Sequence, residues 1–472
     1  KHSVKSMDMR TQSWTECRAP CTARLHLYCA PNRRTRRRQM LRRRALSTVV
    51  DHASFLTRRS ASRAPSAIRA LQPLLSTPGM ISLGGGMPHP STFPFTRLSA
   101  ELEDGSVIEI AGKHLEAALQ YSPTAGIPRL VEHLRALQVA EHNIDDDRAL
   151  CVATGSQDAI AKAFDALLDA DDALLVESPT YSGALAYLQP IGCKLVGIHG
   201  DSNGLDPEAL ESRLRDWDAS KEGGTRRPRV MYIVPSAANP TGATLDLGRR
   251  QRIYSIAREY DLLILEDDPY HWLQYGGKRI PSFLSLDRDN RVLRFDSFSK
   301  LLSSGMRLGW ATGPKALIER IELHTQAANL HPCGLSQALA AGLFDEWASR
   351  HGDDPLKGFR ERMAMVAAFY EDRCITFLKA AEKHLNGLAT WTKPTAGMFV
   401  WLDLRPSGVL DAQKLISERA ISAKVLLVPG TSFMPQQHEG QPSSQVRAAF
   451  STATPEEMDE ACRRLARLLR EG

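Results

Sequence analysis

The chain of 472 residues has no uninterrupted apolar stretch of about 18 residues, the length a helix needs to cross a bilayer, so no membrane span is expected. Internal repeats are also absent. Its eight cysteines are scattered, three of them (Cys17, Cys21 and Cys29) near the start. No pair in the body has the spacing of metal ligands or of a redox motif, so no metal site is expected and a reducing compartment is implied. The body also lacks positive charge. The formal net charge of +6 is concentrated in residues 1–50, which hold thirteen Lys/Arg against two acids; the remaining 422 residues carry 47 basic and 52 acidic side chains. A mildly acidic body argues against binding along a nucleic-acid backbone, which requires a basic face to displace counterions.

The basic stretch includes Arg33, Arg34, Arg36, Arg37, Arg38, Arg42, Arg43 and Arg44, then gives way to Ser60, Ala61, Ser62 and Ala64. An Arg-rich, acid-poor segment followed by Ser and Ala suits a mitochondrial transit peptide; a disordered leader on a cytoplasmic protein is the alternative. With 43% hydrophobic residues, the chain can bury a large core and should divide into at least two domains.

From about residue 149, short apolar runs rich in β-branched residues alternate with longer amphipathic segments, the pattern of an α/β protein with a mixed, mostly parallel sheet covered by helices. Expected strands are 150–153, 173–176, 194–198, 230–234, 262–265 and 292–295. Helices are expected at 157–168, 207–217, 247–260 and 317–330. The C-terminal part reads differently, with a long helix over 355–385, strands at 398–404, 425–428 and 446–450, and a last helix over 455–469, which suggests a smaller α+β domain. The domain expectation is a tail over 1–50, an N-terminal arm with part of the small domain over 51–95, a large domain over 96–345 and the small domain over 346–472.

Ligands of open α/β sheets bind beyond the carboxyl ends of the strands. Five such ends carry polar residues here. Thr154-Gly155-Ser156-Gln157 opens a helix and offers backbone N–H groups to an anion, although a capped helix with no ligand has the same appearance. Tyr181 follows the second run, where a flat ring could stack on it, but a tyrosine there is as easily core. Asn239-Pro240-Thr241-Gly242 is a turn whose amide can donate into a cleft. Glu266-Asp267-Asp268-Pro269-Tyr270 places carboxylates at the end of a buried strand, where they need partners. Asp296-Ser297-Phe298-Ser299-Lys300 is followed closely by Arg307. A lysine desolvated at a strand end has a depressed pKa and supplies a free amine; the alternative is an ion pair with Asp296. Taken together, the five ends supply what pyridoxal phosphate needs: an imine-forming lysine, an acid for the ring nitrogen, donors to the phenolic oxygen, a stacking ring and a phosphate seat.

At these residues the sequence resembles the fold-type I aminotransferases, with matches from about Ser54 to Glu471. The segments Met80-Ile-Ser-Leu-Gly-Gly-Gly-Met-Pro, Gln120-Tyr-Ser-Pro-Thr-Ala-Gly-Ile-Pro, Glu266-Asp-Asp-Pro-Tyr and Asp296-Ser-Phe-Ser-Lys-Leu-Leu-Ser-Ser-Gly-Met-Arg are similar to the kynurenine/2-aminoadipate aminotransferase group, which includes fungal aromatic aminotransferases. The resemblance implies that Lys300 carries pyridoxal phosphate as a Schiff base and moves the substrate proton. It implies that Asp267 pairs with the ring nitrogen, that Tyr270 and Asn239 donate to the phenolic oxygen, and that Tyr181 stacks on the ring. Ser156, Gln157, Ser297, Ser299 and Arg307 would hold the phosphate, with Tyr121 reaching it from the second subunit of a homodimer. Arg447 would clamp the substrate α-carboxylate, Gly86 would add a backbone contact, and Arg69 would meet the distal end of the substrate. The substrates implied are 2-aminoadipate, kynurenine or an aromatic amino acid, with 2-oxoglutarate as acceptor.

Two departures from the group's pattern, Pro235-Ser-Ala-Ala before Asn239 and Phe433-Met434 near the C-terminus, bear on substrate preference rather than chemistry. Two rivals to transamination remain. One is lyase or elimination chemistry on the same cofactor; the other is an aminotransferase-like transcription regulator. The second would need a helical DNA-binding module of about sixty residues, and residues 1–50 show basic runs without an apolar period.

Overall fold

The computed structural model describes residues 50–71, 74, 77–84, 86–435 and 441–471. The tail expected over 1–50, apart from Val50, lies outside the described residues.

A hairpin of β1 (Arg97–Glu101) and β2 (Val107–Ala111) precedes the main sheet. The main sheet contains β3 (Arg148–Ala153), β4 (Ala173–Ser178), β5 (Lys194–Asp201), β6 (Gly204–Leu205), β7 (Val230–Ile233), β8 (Leu263–Asp267), β9 (Val292–Ser297) and β10 (Gly309–Pro314), in the order β3-β10-β9-β8-β7-β4-β5-β6. The pairs from β9 through β5 are parallel, whereas β10 runs antiparallel to both of its neighbours. The carboxyl ends of β3, β4, β7, β8 and β9 therefore share one edge. This is the α/β arrangement anticipated from the alternation of runs, and all six expected strands of this region are in it.

Both faces of the sheet are covered, as parallel strands require. Along β4, Leu174 and Val176 join one core while Ala173 and Leu175 join another. Tyr232, Leu263 and Leu265 lie in the first core with Phe164 of the Ser156–Leu167 helix; Met231, Ile233 and Ile264 lie in the second with Ile253 and Ile256 of the Leu247–Tyr260 helix. This period of two decides which side chains at the strand ends reach the same face.

A second sheet contains β11 (Thr390–Trp391), β12 (Phe399–Asp403), β13 (Val428–Pro429) and β14 (Gln445–Ala449), in the order β11-β12-β14-β13. The Pro355–Leu385 and Pro455–Arg470 helices occupy the expected positions. The strand expected over 425–428 is reduced to Val428 and Pro429, which pair with Arg447 and Val446. Lys424 adopts φ 56° and Leu426 is 79% exposed, so the apolar run leaves a turn and gains a ladder partner only at its last residue. Among the described residues, no helix is long and apolar enough to cross a membrane.

Candidate active site

The turn after β9 carries Lys300, half-buried beside the shared edge. The ion pair between Lys300 and Asp296 that the sequence allowed is not formed. Asp296 is instead held by Arg294 of the same strand, Nη2 donating to Oδ1 at 2.9 Å. Burial pushes the Lys300 amine below its ordinary pKa, and the positive charges of Arg447 and Arg307 push it the same way. A larger share of free amine follows, which is the form that attacks a carbonyl.

Three consecutive carboxylates end β8, and their alternation separates their roles. Glu266 and Asp268 turn to Arg294, each 3.1 Å from its Nη1, and Glu266 also accepts the backbone N–H groups of Phe283 and Leu284. That buried cation, compensated by Glu266, Asp268 and Asp296, ties the ends of β8 and β9 together. Asp267 points the other way. Its Oδ2 accepts the phenol O–H of Tyr232 at 2.6 Å, while Oδ1 is buried and has no hydrogen-bond partner among the described residues. Burial raises its pKa to about 7, against the lowering effect of the Tyr232 hydrogen bond. An unpartnered buried carboxylate oxygen costs free energy unless a donor meets it, and a protonated ring nitrogen is such a donor. Tyr270, three residues on, is buried edge-on to Phe399 with ring centres 5.8 Å apart, and burial raises the pKa of its phenol.

At the end of β3, Gly155 precedes the Ser156–Leu167 helix with φ 81° and gives it no side-chain cap, so the first N–H groups remain available to an anion. A Cβ at Gly155 would lie 2.7 Å from Nη2 of Arg307, so only glycine lets the guanidinium cross the helix mouth. Arg307 donates to Ser299 Oγ at 3.3 Å and to the Ser304 carbonyl at 3.1 Å. Ser297 Oγ accepts the Ser299 N–H, and Gln157 donates to the Gly183 carbonyl. Tyr181 begins the next helix. Gly183 leaves room for its ring, since a Cβ there would lie 2.4 Å from it. These residues form one basic, donor-rich rim suited to a phosphate.

Arg447 comes from the second sheet. It donates from Nη1 to Asn239 Oδ1 at 2.9 Å, which links β14 to the turn after β7. Its guanidinium lies 4.6 Å from the ring centre of Phe399 and 5.2 Å from that of Phe433, and Phe433 meets Trp401 edge-on. Among the described residues no carboxylate pairs with it, which excludes the ordinary surface ion pair as its role. Burial lowers its pKa, though an arginine there remains charged. A cation held by aromatic faces, with a free edge, is prepared for a carboxylate.

Eleven of the fourteen predicted site residues thus belong to this edge or face it. The other three stand apart: Tyr121 is 47% exposed and edge-on to His331, Arg69 donates to the Ser122 carbonyl at 3.1 Å, and Gly86 is exposed in open space. A cavity of about 780 Å³ is lined by the Ser178–Pro179 and Thr241–Gly242 turns, the end of β5 and residues of the second sheet, and includes none of the predicted site residues. Three side chains packed around these residues were missed from sequence: Tyr232, Phe399 and Glu177, a buried carboxyl of β4 whose Oε2 accepts the Val234 N–H at 2.9 Å. A phenol and a carboxyl within otherwise apolar buried strands were the available signals for Tyr232 and Glu177; nothing distinguished Phe399 from core.

Residues 99–465 match the family described as aminotransferase class I and II. The kynurenine/alpha-aminoadipate aminotransferase of Rattus norvegicus, named as mitochondrial, is 42% identical over 434 residues, covering 89% of this chain and 100% of the relative. The crystal structure of aminotransferase Aro9 from Candida albicans superposes with a TM-score of 0.79 at 27% identity, covering 89% of this chain and 98% of that one. The kynurenine aminotransferase of Pyrococcus horikoshii, solved in complex with PMP, superposes with a TM-score of 0.69 at 30% identity over 89% and 98% of the two chains. With Lys300 and Asp267 on one strand edge, Arg447 reaching it from the second sheet, and a family match over most of its length, this chain belongs to the class I and II aminotransferases and is a transaminase.

Proposed function

We propose that the chain binds pyridoxal phosphate at Lys300 and transfers the amino group of 2-aminoadipate, kynurenine or an aromatic amino acid to 2-oxoglutarate. The observation that carries the cofactor assignment is the buried, unpartnered Oδ1 of Asp267 on the same edge as the Lys300 amine. Bound there, pyridoxal phosphate supplies an aldehyde that condenses with amines and a ring that withdraws electrons from the carbon bearing the amine.

The chain's own residues do the rest. Asp267 keeps the proton on the ring nitrogen, Tyr270 and Asn239 donate to the phenolic oxygen, and Tyr181 covers the ring face. Ser156, Gln157, Ser297, Ser299 and Arg307 hold the phosphate. Arg447 takes the substrate α-carboxylate at two points and so fixes which substrate bond faces Lys300. The Lys300 amine takes the proton from the substrate α-carbon and returns it one position along. Gly86 and Arg69 would complete the substrate site, with Arg69 toward the distal end.

The same reading includes a homodimer with no nucleic-acid partner. Among the described residues of the 66–95 stretch, Ile68, Ile81 and Leu83 are 64%, 87% and 97% exposed, a density of apolar surface that a second copy would cover while bringing Tyr121 to its neighbour's phosphate. The eight-stranded sheet lies within 96–345 and the four-stranded sheet within 346–472, which supports those bounds for the large and small domains. The mitochondrial name of the rat relative supports the same destination for this chain.

The test is glutamate formation from 2-oxoglutarate with each donor in turn, with pyridoxal phosphate present. Glutamate with at least one of the three donor types is expected. Ammonia and a 2-oxo acid without glutamate would replace transamination by elimination chemistry.

A further inference from the structure

Asp267 is held by one neighbour in a way that its place in the sequence does not require. Tyr232 lies on β7, level with Leu265 of β8, and on the same face as Asp267 two residues further along. Its phenol is fully buried and donates to Oδ2 at 2.6 Å. Its ring meets Phe164 edge-on, with centres 5.5 Å apart. Phe164 belongs to the Ser156–Leu167 helix, whose opposite end is the proposed phosphate seat. One side chain therefore joins the acid at the ring-nitrogen end to the helix at the phosphate end.

We propose that Tyr232 is a positioning residue for the cofactor ring: by occupying Oδ2 of Asp267 it leaves Oδ1 as the oxygen offered to a protonated ring nitrogen. This rests on the pyridoxal phosphate reading above. The phenol suits the task because burial and the nearby Asp267 charge raise its own pKa, so it stays a donor throughout the working range. A donor to one carboxylate oxygen favours the ionised form. The charged and titratable groups facing Asp267 are Tyr232 on β7, Asp268 just past the end of β8, Arg294 and Asp296 on β9, Glu177 on β4, and the phenols of Tyr181 and Tyr270. Of these, Tyr232 and Arg294 lower the carboxyl's pKa while Asp268 and Asp296 raise it, and burial has already brought it to about 7. Loss of the phenol therefore moves it upward and leaves less carboxylate at neutral pH.

The experiment compares the full chain, freed of cofactor, with its Tyr232→Phe variant in binding two ligands: pyridoxal phosphate, and the analogue with a C–H in place of the ring nitrogen. Both present the same phosphate, phenol and aldehyde. The wild type should prefer pyridoxal phosphate. Tyr232→Phe should reduce that preference about threefold at pH 7.5, the fall in carboxylate fraction when a carboxyl that titrates at about 7 rises by roughly one unit, and recover most of it at pH 9. In an Asp267→Asn background the same substitution should add no further loss of preference. Equal weakening of both ligands, or no change, would overturn the inference and leave Tyr232 a structural residue. A wild type that binds neither ligand would sink the cofactor reading itself. One that binds both equally would remove the link between Asp267 and the ring nitrogen, and this inference with it.

Discussion

The carboxyl edge of the large sheet and the 66–95 stretch present opposite kinds of surface. At the edge, polar groups are buried and mostly satisfied within the chain: Arg294 by three carboxylates, Asn239 by Arg447, Asp267 by Tyr232 on one oxygen. What remains unsatisfied there, chiefly Asp267 Oδ1 and the capless start of the Ser156–Leu167 helix, faces the proposed cofactor. The 66–95 stretch instead leaves large apolar side chains in water. The first region suits a small polar ligand and the second an apolar partner.

Substitutions at the edge should abolish chemistry while leaving assembly intact. Lys300→Ala should lower turnover roughly ten-thousand-fold, as loss of both the attachment amine and the proton carrier requires, with unchanged mass by sedimentation. Arg447→Leu should lower kcat/KM roughly hundredfold for the amino acid and the 2-oxo acid alike, because both carry the carboxylate that it binds. An effect confined to one substrate would mean that Arg447 reads the side chain instead.

Substitutions in the stretch should do the reverse. Ile81→Asp combined with Leu83→Asp should halve the apparent mass by sedimentation and weaken cofactor retention at low protein concentration, since Tyr121 would no longer reach a neighbour. An unchanged mass would break the comparison by showing that the exposed residues are not an interface.

The edge was legible in sequence because each strand there contains a short apolar run, almost wholly buried, that stops at a polar cluster, and burial on both faces leaves only the end free to bind. β10 was not legible. Gly309-Trp-Ala-Thr-Gly-Pro has no β-branched run, and it is a strand because β3 and β9 hydrogen-bond it from both sides. Gly309 is required by that crowding: a Cβ would lie 2.5 Å from the Ser156 amide. The contact of Tyr232 with Asp267 was also hidden, since it depends on the register between β7 and β8, which are about thirty residues apart in the chain. Gly86, Arg69 and Tyr121 were proposed only by resemblance, and the role proposed for Tyr121 needs a second chain.

A smaller effect separates the buried edge from solvent by pH. Glu177 accepts the Val234 N–H at 2.9 Å, and burial raises its pKa to about 8. The folded state therefore holds a proton that the unfolded chain releases near pH 4.5, so this group's contribution to stability falls as pH rises from about 4.5 to about 8. Glu177→Gln should make the protein more stable than wild type by about 1 kcal/mol at pH 8, with the difference vanishing below pH 5, as read by thermal unfolding. A pH-independent difference would show that Glu177 is ionised in the fold.

The most direct test of the account locates the cofactor. Borohydride reduction of the protein loaded with pyridoxal phosphate, followed by proteolysis and mass spectrometry, should place a pyridoxyl group on the peptide containing Lys300 and on no other. A transaminating protein whose pyridoxyl group lies on a different lysine would contradict the assignment of the strand edge as the catalytic centre.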